Sequence, residues 1–170
     1  GNKTEQTFDI EKSAPNAVNA PSTIVAVSEN KGKNYSLLIA AQNYDDSSIL
    51  SLENPVADAI RLKMILNRDY GFDEADIITL FNPTSSDLRR KLLELTNKIK
   101  PEDNILIFYA GHGIWVDKEK KGYWLMTDAQ YNNSNTWTAN KEVLDLISKL
   151  PARNTLLITD ACFSGSVFKT

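Results

Sequence analysis

The fold is decided by residues 104–113, which read NILIFYAGHG and lead an apolar run directly into a histidine between two glycines. A nearly continuous apolar run of this length is typical of a strand that is covered on both faces of a parallel sheet. Residues 154–162 show the same arrangement in NTLLITDAC, where an apolar run leads to a cysteine. The chain contains one histidine and one cysteine, and each follows a predicted buried strand.

Helices and strands alternate along the rest of the chain. The apolar segments 35–41 and 76–81 predict two further strands, and residues 115–126 predict a β-hairpin with a charged tip. Three helices lie between these strands, and the alternation predicts a mainly parallel sheet. The expected fold class is therefore α/β, a three-layer sandwich whose central sheet is flanked by helices, with a β-hairpin after the histidine strand.

Each predicted helix has recognisable boundaries and an expected buried face. Asn54-Pro55 begins the first helix, and Thr84 with Asp87 resembles a capping box for the second. Prolines end the second and third helices. Apolar spacing assigns the following residues to the core: Ala57, Ile60, Met64 and Ile65 in the first helix, Leu88, Leu92, Leu95 and Ile99 in the second, and Val143, Leu144, Ile147 and Leu150 in the third.

Composition limits the classes of function. The 170 residues suit one domain, and the net charge of −3 argues against a nucleic-acid partner. No apolar run is long enough for a membrane span, and one cysteine excludes an internal disulfide or a zinc-type cysteine cluster. Residues 1–34 are expected to be a polar arm or linker, and residues 35–170 the catalytic domain. The single thiol and the lack of a recognisable leader favour the cytoplasm, although a chain beginning at Gly1 leaves export open.

The solitary histidine and cysteine define the candidate site. Ligands of open parallel sheets bind beyond the carboxyl ends of the strands, where His112 and Cys162 both fall. If the two strands are neighbours, they lie about 5 Å apart, and both side chains can reach one substrate bond. A thiolate is a strong nucleophile, and an imidazole can take its proton and later protonate a leaving amine. The amide groups of Gly113 and Cys162 are expected to bind the resulting oxyanion.

Segments 37–44, 54–59, 107–113 and 157–165 together resemble the large subunit of the caspase and metacaspase family. The order of the segments matches, and 50 residues separate the histidine from the cysteine. The resemblance covers residues 35–166 and implies a cysteine endopeptidase, a thiol protease with a dyad of Cys162 and His112. It implies a protein or peptide substrate and no cofactor required for the chemistry.

The resemblance also indicates a substrate preference. Mammalian caspases cleave after Asp and have Gln two residues before the cysteine, whereas this chain has Asp160, as do metacaspases, which cleave after Arg or Lys. An acidic pocket attracts a cationic P1 side chain and repels Asp. Asp58, near the start of the first helix, matches a second pocket acid of the metacaspase pattern. We therefore expect an S1 pocket containing Asp160 and Asp58.

Two departures from the family pattern affect partners and metal. Only 8 residues follow Cys162, whereas the family fold continues into a small subunit, so a small-subunit fragment is an expected partner. Lys169, near the end of the chain, would suit self-cleavage by a peptidase that prefers basic residues. Many metacaspases need calcium, but Asp117, Glu119 and Asp128 form no recognisable calcium loop. No metal ligands are assigned, and calcium activation stays open.

Other interpretations of the same residues exist. A catalytically silent adaptor or regulator with the caspase fold is one alternative, and a clostripain-type or legumain-type peptidase, which also pairs His-Gly with Ala-Cys, is another. Asp160 has an alternative role as a residue that caps a turn through its own backbone. The alternative role of Asp58 is that of an acid in the first turn of a helix, where the helix dipole favours negative charge.

Overall fold

The computed structural model describes residues 32–161. Ten helices and strands are named here in chain order: β1 (Asn34–Ala40), α1 (Pro55–Tyr70), β2 (Ile77–Phe81), α2 (Ser85–Lys98), β3 (Asn104–Ala110), β4 (Gly113–Val116), β5 (Lys121–Trp124), β6 (Thr138–Ala139), α3 (Asn140–Ile147) and β7 (Asn154–Asp160). Four of the strands form a parallel sheet in the order β2-β1-β3-β7. No helix within residues 32–161 combines the length and apolar character that a bilayer crossing needs.

Helices cover both faces of this sheet because β1 and β3 alternate their apolar side chains between the two faces. Leu37 and Ile39 of β1 join the larger core cluster, which contains buried residues of α2 and α3. Leu38 and Ala40 point to the opposite face, where they pack in a cluster that includes α1. The predicted α/β fold with a parallel central sheet between helical layers is confirmed.

The second helix follows its sequence signals closely. The Thr84 side chain accepts the Asp87 N–H at 3.1 Å, and the Asp87 carboxylate accepts the Thr84 N–H at 3.2 Å, which completes the capping box. Leu88, Leu92 and Leu95 are buried at helical spacing. The predicted start and buried face of α2 are therefore confirmed.

The first helix buries a different face from the predicted one. Pro55, Ala59 and Leu66 are its buried residues, whereas Ile60 and Met64 are 43% and 60% exposed. Ile65 is also exposed and Ala57 only half-buried, so the predicted inward face of α1 is wrong. The physical reason is that α1 carries apolar residues around most of its circumference, so that spacing alone does not select the face that meets the sheet. The helix ends at Tyr70, and Gly71 caps it with a left-handed φ of 69°.

The third helix is shorter than predicted. It spans Asn140–Ile147 and so ends before Leu150, which was predicted to belong to it, while Val143 and Ile147 are buried as expected. Leu144 is 53% exposed, so its assignment to the core is wrong. Leu150 is buried but lies beyond the helix.

A smaller antiparallel sheet adjoins the carboxyl end of β3. Strands β4 and β5 form the predicted hairpin, with a turn at residues 117–120, and β6 pairs with β5. Ile114 and Leu125 pack with Ile49 in a separate small core. The hairpin therefore ties the segment after His112 to the loop that follows β1.

Strand β7 forms one edge of the described sheet. Leu156 and Ile158 are 54% and 39% exposed. Their register opposite Leu106 and Phe108 places them on the same face of the sheet as those two β3 residues. This edge is therefore an exposed apolar strip in the part of the chain that the structure describes.

Candidate active site

Strands β3 and β7, which precede His112 and Cys162, are parallel neighbours. This arrangement is the one that would allow both side chains to reach the same substrate bond. Ala110 pairs with Asp160 at their carboxyl ends, and the Gly111 N–H donates to the Asp160 carbonyl at 3.3 Å. His112 lies two residues beyond Ala110, and Ala161 is the last described residue after Asp160. Cys162 and its amide lie outside the described residues. The register brings the carboxyl ends of β3 and β7 to one edge of the sheet.

The side chain of His112 is held by a main-chain carbonyl. The imidazole Nε2 lies 2.7 Å from the Leu50 oxygen, and the residue is only 9% exposed. A carbonyl oxygen can only accept a hydrogen bond, so Nε2 carries the proton in this contact. In the neutral ring Nδ1 then keeps its lone pair. The geometry therefore provides a histidine whose Nδ1 can accept a proton.

The main chain of His112 is fixed from two sides. Its N–H donates to the Tyr44 hydroxyl at 3.1 Å. Its carbonyl accepts the Tyr109 hydroxyl at 2.8 Å and the Leu125 N–H at 3.0 Å. Tyr109 is fully buried and stacks on Trp124, with ring centroids 4.1 Å apart. These contacts leave the segment that carries His112 little freedom to move.

Gly111 allows this close packing. A Cβ at position 111 would lie 2.6 Å from the Tyr109 hydroxyl and 3.1 Å from the Ala41 Cβ. Contacts of that length would force the buried tyrosine to shift, so glycine fits here because it lacks a side chain.

The environment of His112 favours its neutral form. Burial lowers the pKa of the imidazole from its ordinary value of 6.5, and the hydrogen bond to the Leu50 carbonyl raises it by a smaller amount. Burial disfavours the charged ring because the site offers less solvation than water. His112 is therefore a neutral base near pH 7.

This shift gives a pH prediction for a Cys162→Ala chain, in which the thiol no longer couples to the ring. We expect the imidazole to titrate below pH 6.5, because burial lowers the folded-state pKa. Below pH 6.5 the unfolded chain binds more protons at this histidine than the folded chain does. The free energy of unfolding should therefore decrease as the pH falls from 6.5 through the folded-state pKa. Proton NMR can follow the titration without assignment ambiguity, since the chain has one histidine. A midpoint at or above 6.5 would contradict the buried, neutral ring.

The other predicted site residues lie near the same edge in different settings. Asp160 ends β7 with an exposed side chain. Gly113 is buried and begins β4, opposite Trp124. Asp58 lies in the first turn of α1, and its carboxylate pairs with Arg61 at 3.1 Å. The roles of Asp160 and Asp58 in substrate binding, and of Gly113 in binding an oxyanion, stay predictions.

The three acids considered as calcium ligands accept hydrogen bonds from three different residues. Asp117 accepts the Trp115 indole N–H, Glu119 accepts the Tyr123 hydroxyl, and Asp128 accepts the Ser85 N–H. Across residues 32–161 no three histidine, cysteine or acidic side chains are gathered as ligands for a metal ion. The three acids named for calcium therefore do not fit a shared ion.

Sequence reasoning missed two groups that hold His112. The Tyr44 hydroxyl and the Leu50 carbonyl both come from the loop between β1 and α1. A polar ring just after the carboxyl end of β1 was a usable signal for Tyr44, because the same edge carries His112. A main-chain carbonyl has no side-chain signature, so no residue type could indicate Leu50.

Comparisons with known proteins agree with this geometry. The caspase domain (Peptidase_C14), a family of cysteine peptidases, matches residues 33–169. The chain therefore belongs to the caspase-domain family. A search among curated proteins found no match.

Two solved structures share the fold at low identity. Protein GSU0716 of Geobacter sulfurreducens is 21% identical, with a TM-score of 0.63 over 79% of this chain and 52% of that one. Caspase-1 of Spodoptera frugiperda is 16% identical, with a TM-score of 0.60 over 78% of this chain and 48% of that one. The chain thus spans about half the length of these two proteins.

Proposed function

We propose that this protein is a cysteine endopeptidase that cleaves peptide bonds after Arg or Lys with a dyad of Cys162 and His112. The observation that carries the proposal is the pairing of Ala110 with Asp160, which starts both dyad segments at adjacent points of one sheet edge. Neighbouring strands lie about 4.8 Å apart, so a substrate carbonyl at this edge is within reach of both segments. Membership of the caspase-domain family supports the same chemistry.

The first half of the reaction forms an acyl-enzyme. Nδ1 of His112 takes the thiol proton, and the sulfur of Cys162 attacks the scissile carbonyl carbon. The carbonyl π electrons move to oxygen, and the amide groups of Gly113 and Cys162 are the proposed donors to that oxyanion. When the tetrahedral intermediate collapses, the C–N bond breaks and the imidazolium gives its proton to the leaving amine.

The second half returns the enzyme to its starting state. His112 removes a proton from water, the resulting hydroxide attacks the thioester carbonyl, and the C–S bond breaks. The imidazolium returns this proton to sulfur, and the carboxylic acid product leaves and loses its own proton to the solvent. The hydrogen bond from Nε2 to Leu50 supports this cycle because it keeps Nδ1 as the nitrogen that exchanges the proton.

Charge at the sheet edge supports a basic P1 side chain. Asp160 presents an exposed carboxylate at the end of β7, directly before the nucleophile segment. A guanidinium or ammonium group pairs with a carboxylate through charge-assisted hydrogen bonds. Asp58 would contribute less, because Arg61 already pairs with its carboxylate at 3.1 Å.

The exposed edge of β7 supports a need for a small-subunit segment. Leu156 and Ile158 are more than a third exposed although they belong to a strand that the sequence predicts to be buried. Apolar side chains on an unpaired edge are favourable sites for pairing with a further strand and covering it with a helix. We propose that a small-subunit segment packs here and completes the substrate groove.

This part of the proposal predicts a separation between folding and activity. Replacing Leu156 and Ile158 together by Ser should lower the melting temperature of the 170-residue chain only slightly, because the two side chains are already 54% and 39% exposed. The same change in the full-length gene product should lower peptide hydrolysis about tenfold or more, since it weakens an apolar contact that forms only with the added segment. Leu93→Ser, at an equally exposed position on α2, is the matched control. Equal activity of the double variant and the control would contradict the proposed contact.

A substrate panel tests the function itself. The full-length gene product is incubated with fluorogenic peptides that end in Arg, Lys, Asp or Asn, with and without calcium, beside a Cys162→Ala control. We expect hydrolysis after Arg and Lys and none by the control. Hydrolysis that survives in the control would remove Cys162 from the mechanism. No hydrolysis by either protein would favour the adaptor.

The same preference makes self-processing part of the proposal. A peptidase selective for basic residues can cut its own chain after a basic residue such as Lys169. Intact mass of the purified wild type against Cys162→Ala measures this directly. Identical masses after prolonged incubation would argue against self-cleavage.

A further inference from the structure

One loop holds His112 at both its main chain and its ring. Residues 41–52 follow β1, and from this loop the Tyr44 hydroxyl accepts the His112 N–H while the Leu50 carbonyl accepts the Nε2 proton. The Tyr44 ring also lies against the imidazole, with centroids 5.2 Å apart and planes inclined by 31°. These contacts fix the position of the His112 main-chain N–H and the orientation of its imidazole ring.

The loop itself is tied to its surroundings by several hydrogen bonds. The Asn82 side chain accepts the N–H groups of Gln42 and Asn43, both at 2.9 Å. The Leu52 N–H donates to the Gln42 carbonyl at 2.9 Å, which draws the two ends of the loop together. Tyr44 is therefore presented from a constrained loop.

The Tyr44 hydroxyl links two main-chain groups of the site. It donates to the Ala41 carbonyl at 3.1 Å while it accepts the His112 N–H at 3.1 Å. Burial raises the pKa of Tyr44 to about 12, and the His112 hydrogen bond opposes this shift. The hydroxyl consequently keeps its proton, and with it the bond to Ala41, throughout the neutral pH range.

We propose that Tyr44 is a positioning residue that fixes the main chain of His112 and so directs Nδ1 toward the nucleophile; this inference rests on the proposed function. Tyr44 touches neither the substrate bond nor the thiol in this scheme. Its effect passes through His112, because a main-chain shift at residue 112 would weaken the Nε2 contact with Leu50 and free the ring to rotate.

Tyr44→Phe tests the proposal because it removes one oxygen and keeps the ring. We expect kcat to fall about tenfold and KM to change less than about twofold, since the lost hydrogen bond orients the base rather than the substrate. Tyr70→Phe, at a 67% exposed position at the end of α1, is the matched control and should keep wild-type kcat.

Nitrogen-15 NMR of the single histidine gives a second measurement that does not depend on proteolysis. The wild-type ring should show one tautomer with the proton on Nε2, and Tyr44→Phe should show averaging of the two ring nitrogens. The amide spectrum of each variant confirms its fold.

The results separate the inference from the proposed function. If the wild type lacks peptidase activity, the function fails and the tautomer signals alone decide the role of Tyr44. An unchanged tautomer in Tyr44→Phe, or a parallel rise in KM that accounts for the whole loss, would overturn the inference. A Tyr44→Phe chain that does not fold would also overturn it, because the hydroxyl would then be a structural group.

Discussion

His112→Gln is expected to lower kcat/KM for an Arg peptide by roughly 10³-fold while the protein stays folded. The glutamine amide can still donate to the Leu50 carbonyl that the imidazole Nε2 contacts at 2.7 Å. It offers no basic nitrogen where Nδ1 lies. The variant therefore removes proton transfer and keeps the hydrogen bond that holds the segment. Initial rates with the Arg peptide and a thermal melt measure the two effects.

The matched comparison is Cys162→Ala, which should lose the covalent route altogether. A double variant should be no slower than the slower single variant, because residues that act as one unit do not contribute independently. Retention of more than a tenth of wild-type kcat/KM by a folded His112→Gln protein would contradict the role of His112 as the base.

Asp160→Asn is expected to lower kcat/KM for Arg and Lys peptides about 10²-fold while peptides with a neutral P1 residue change by less than about threefold. Asparagine keeps the size of the side chain and also favours turns, so the variant removes only the charge. The measurement is kcat/KM for a matched series of peptides that differ at P1 alone. It distinguishes a pocket acid from the alternative role in capping a turn.

Variants of two further aspartates serve as a comparison and a control for Asp160→Asn. Asp58→Asn should give a smaller loss than Asp160→Asn, because Arg61 shares the charge of Asp58. Asp69→Asn is the control, since Asp69 also pairs with a neighbouring arginine but lies at the opposite end of α1. Equal effects of all three variants, or an Asp160→Asn enzyme that still prefers Arg, would contradict the proposed pocket.

The main strands and their parallel arrangement were predictable from sequence, whereas their order in the sheet was not. The apolar run that ends at Ala110 has no polar face, which predicted a strand with cover on both sides, and β3 lies between β1 and β7 in the sheet. The capping box of α2 was predictable because both of its partners are side chains close in sequence. In each case local chemistry and the final fold favour the same structure.

Which apolar side chains of α1 and β7 are buried depends on tertiary contacts that the sequence pattern did not predict. Ile60 and Met64 have helical spacing, yet α1 packs through the smaller Ala59 together with Leu66. Leu156 and Ile158 belong to an apolar strand, yet β7 forms the edge of the described sheet. Burial of these residues depends on which neighbour lies opposite, and hydrophobic periodicity carries no information about that neighbour.

In the candidate site, too, one feature was predictable from sequence and another was not. The sequence indicated His112 because it is the only histidine and follows a buried strand. The contact with the Leu50 carbonyl depends on the path of the loop from residue 41 to residue 52, and turn propensities in that loop do not predict where one oxygen lies. The tautomer of His112, and so the nitrogen that we propose as the base, is a property of the folded chain.

The central claim is that the thiol of Cys162 lies beside the imidazole of His112, and a paramagnetic label tests it most directly. The sole cysteine accepts one nitroxide, and the sole histidine gives one imidazole signal, so the chain needs no further substitution. We predict that the label removes the imidazole signal from the proton NMR spectrum and that reduction of the nitroxide restores it. An imidazole signal of equal intensity before and after reduction would place the two groups far apart and contradict the account.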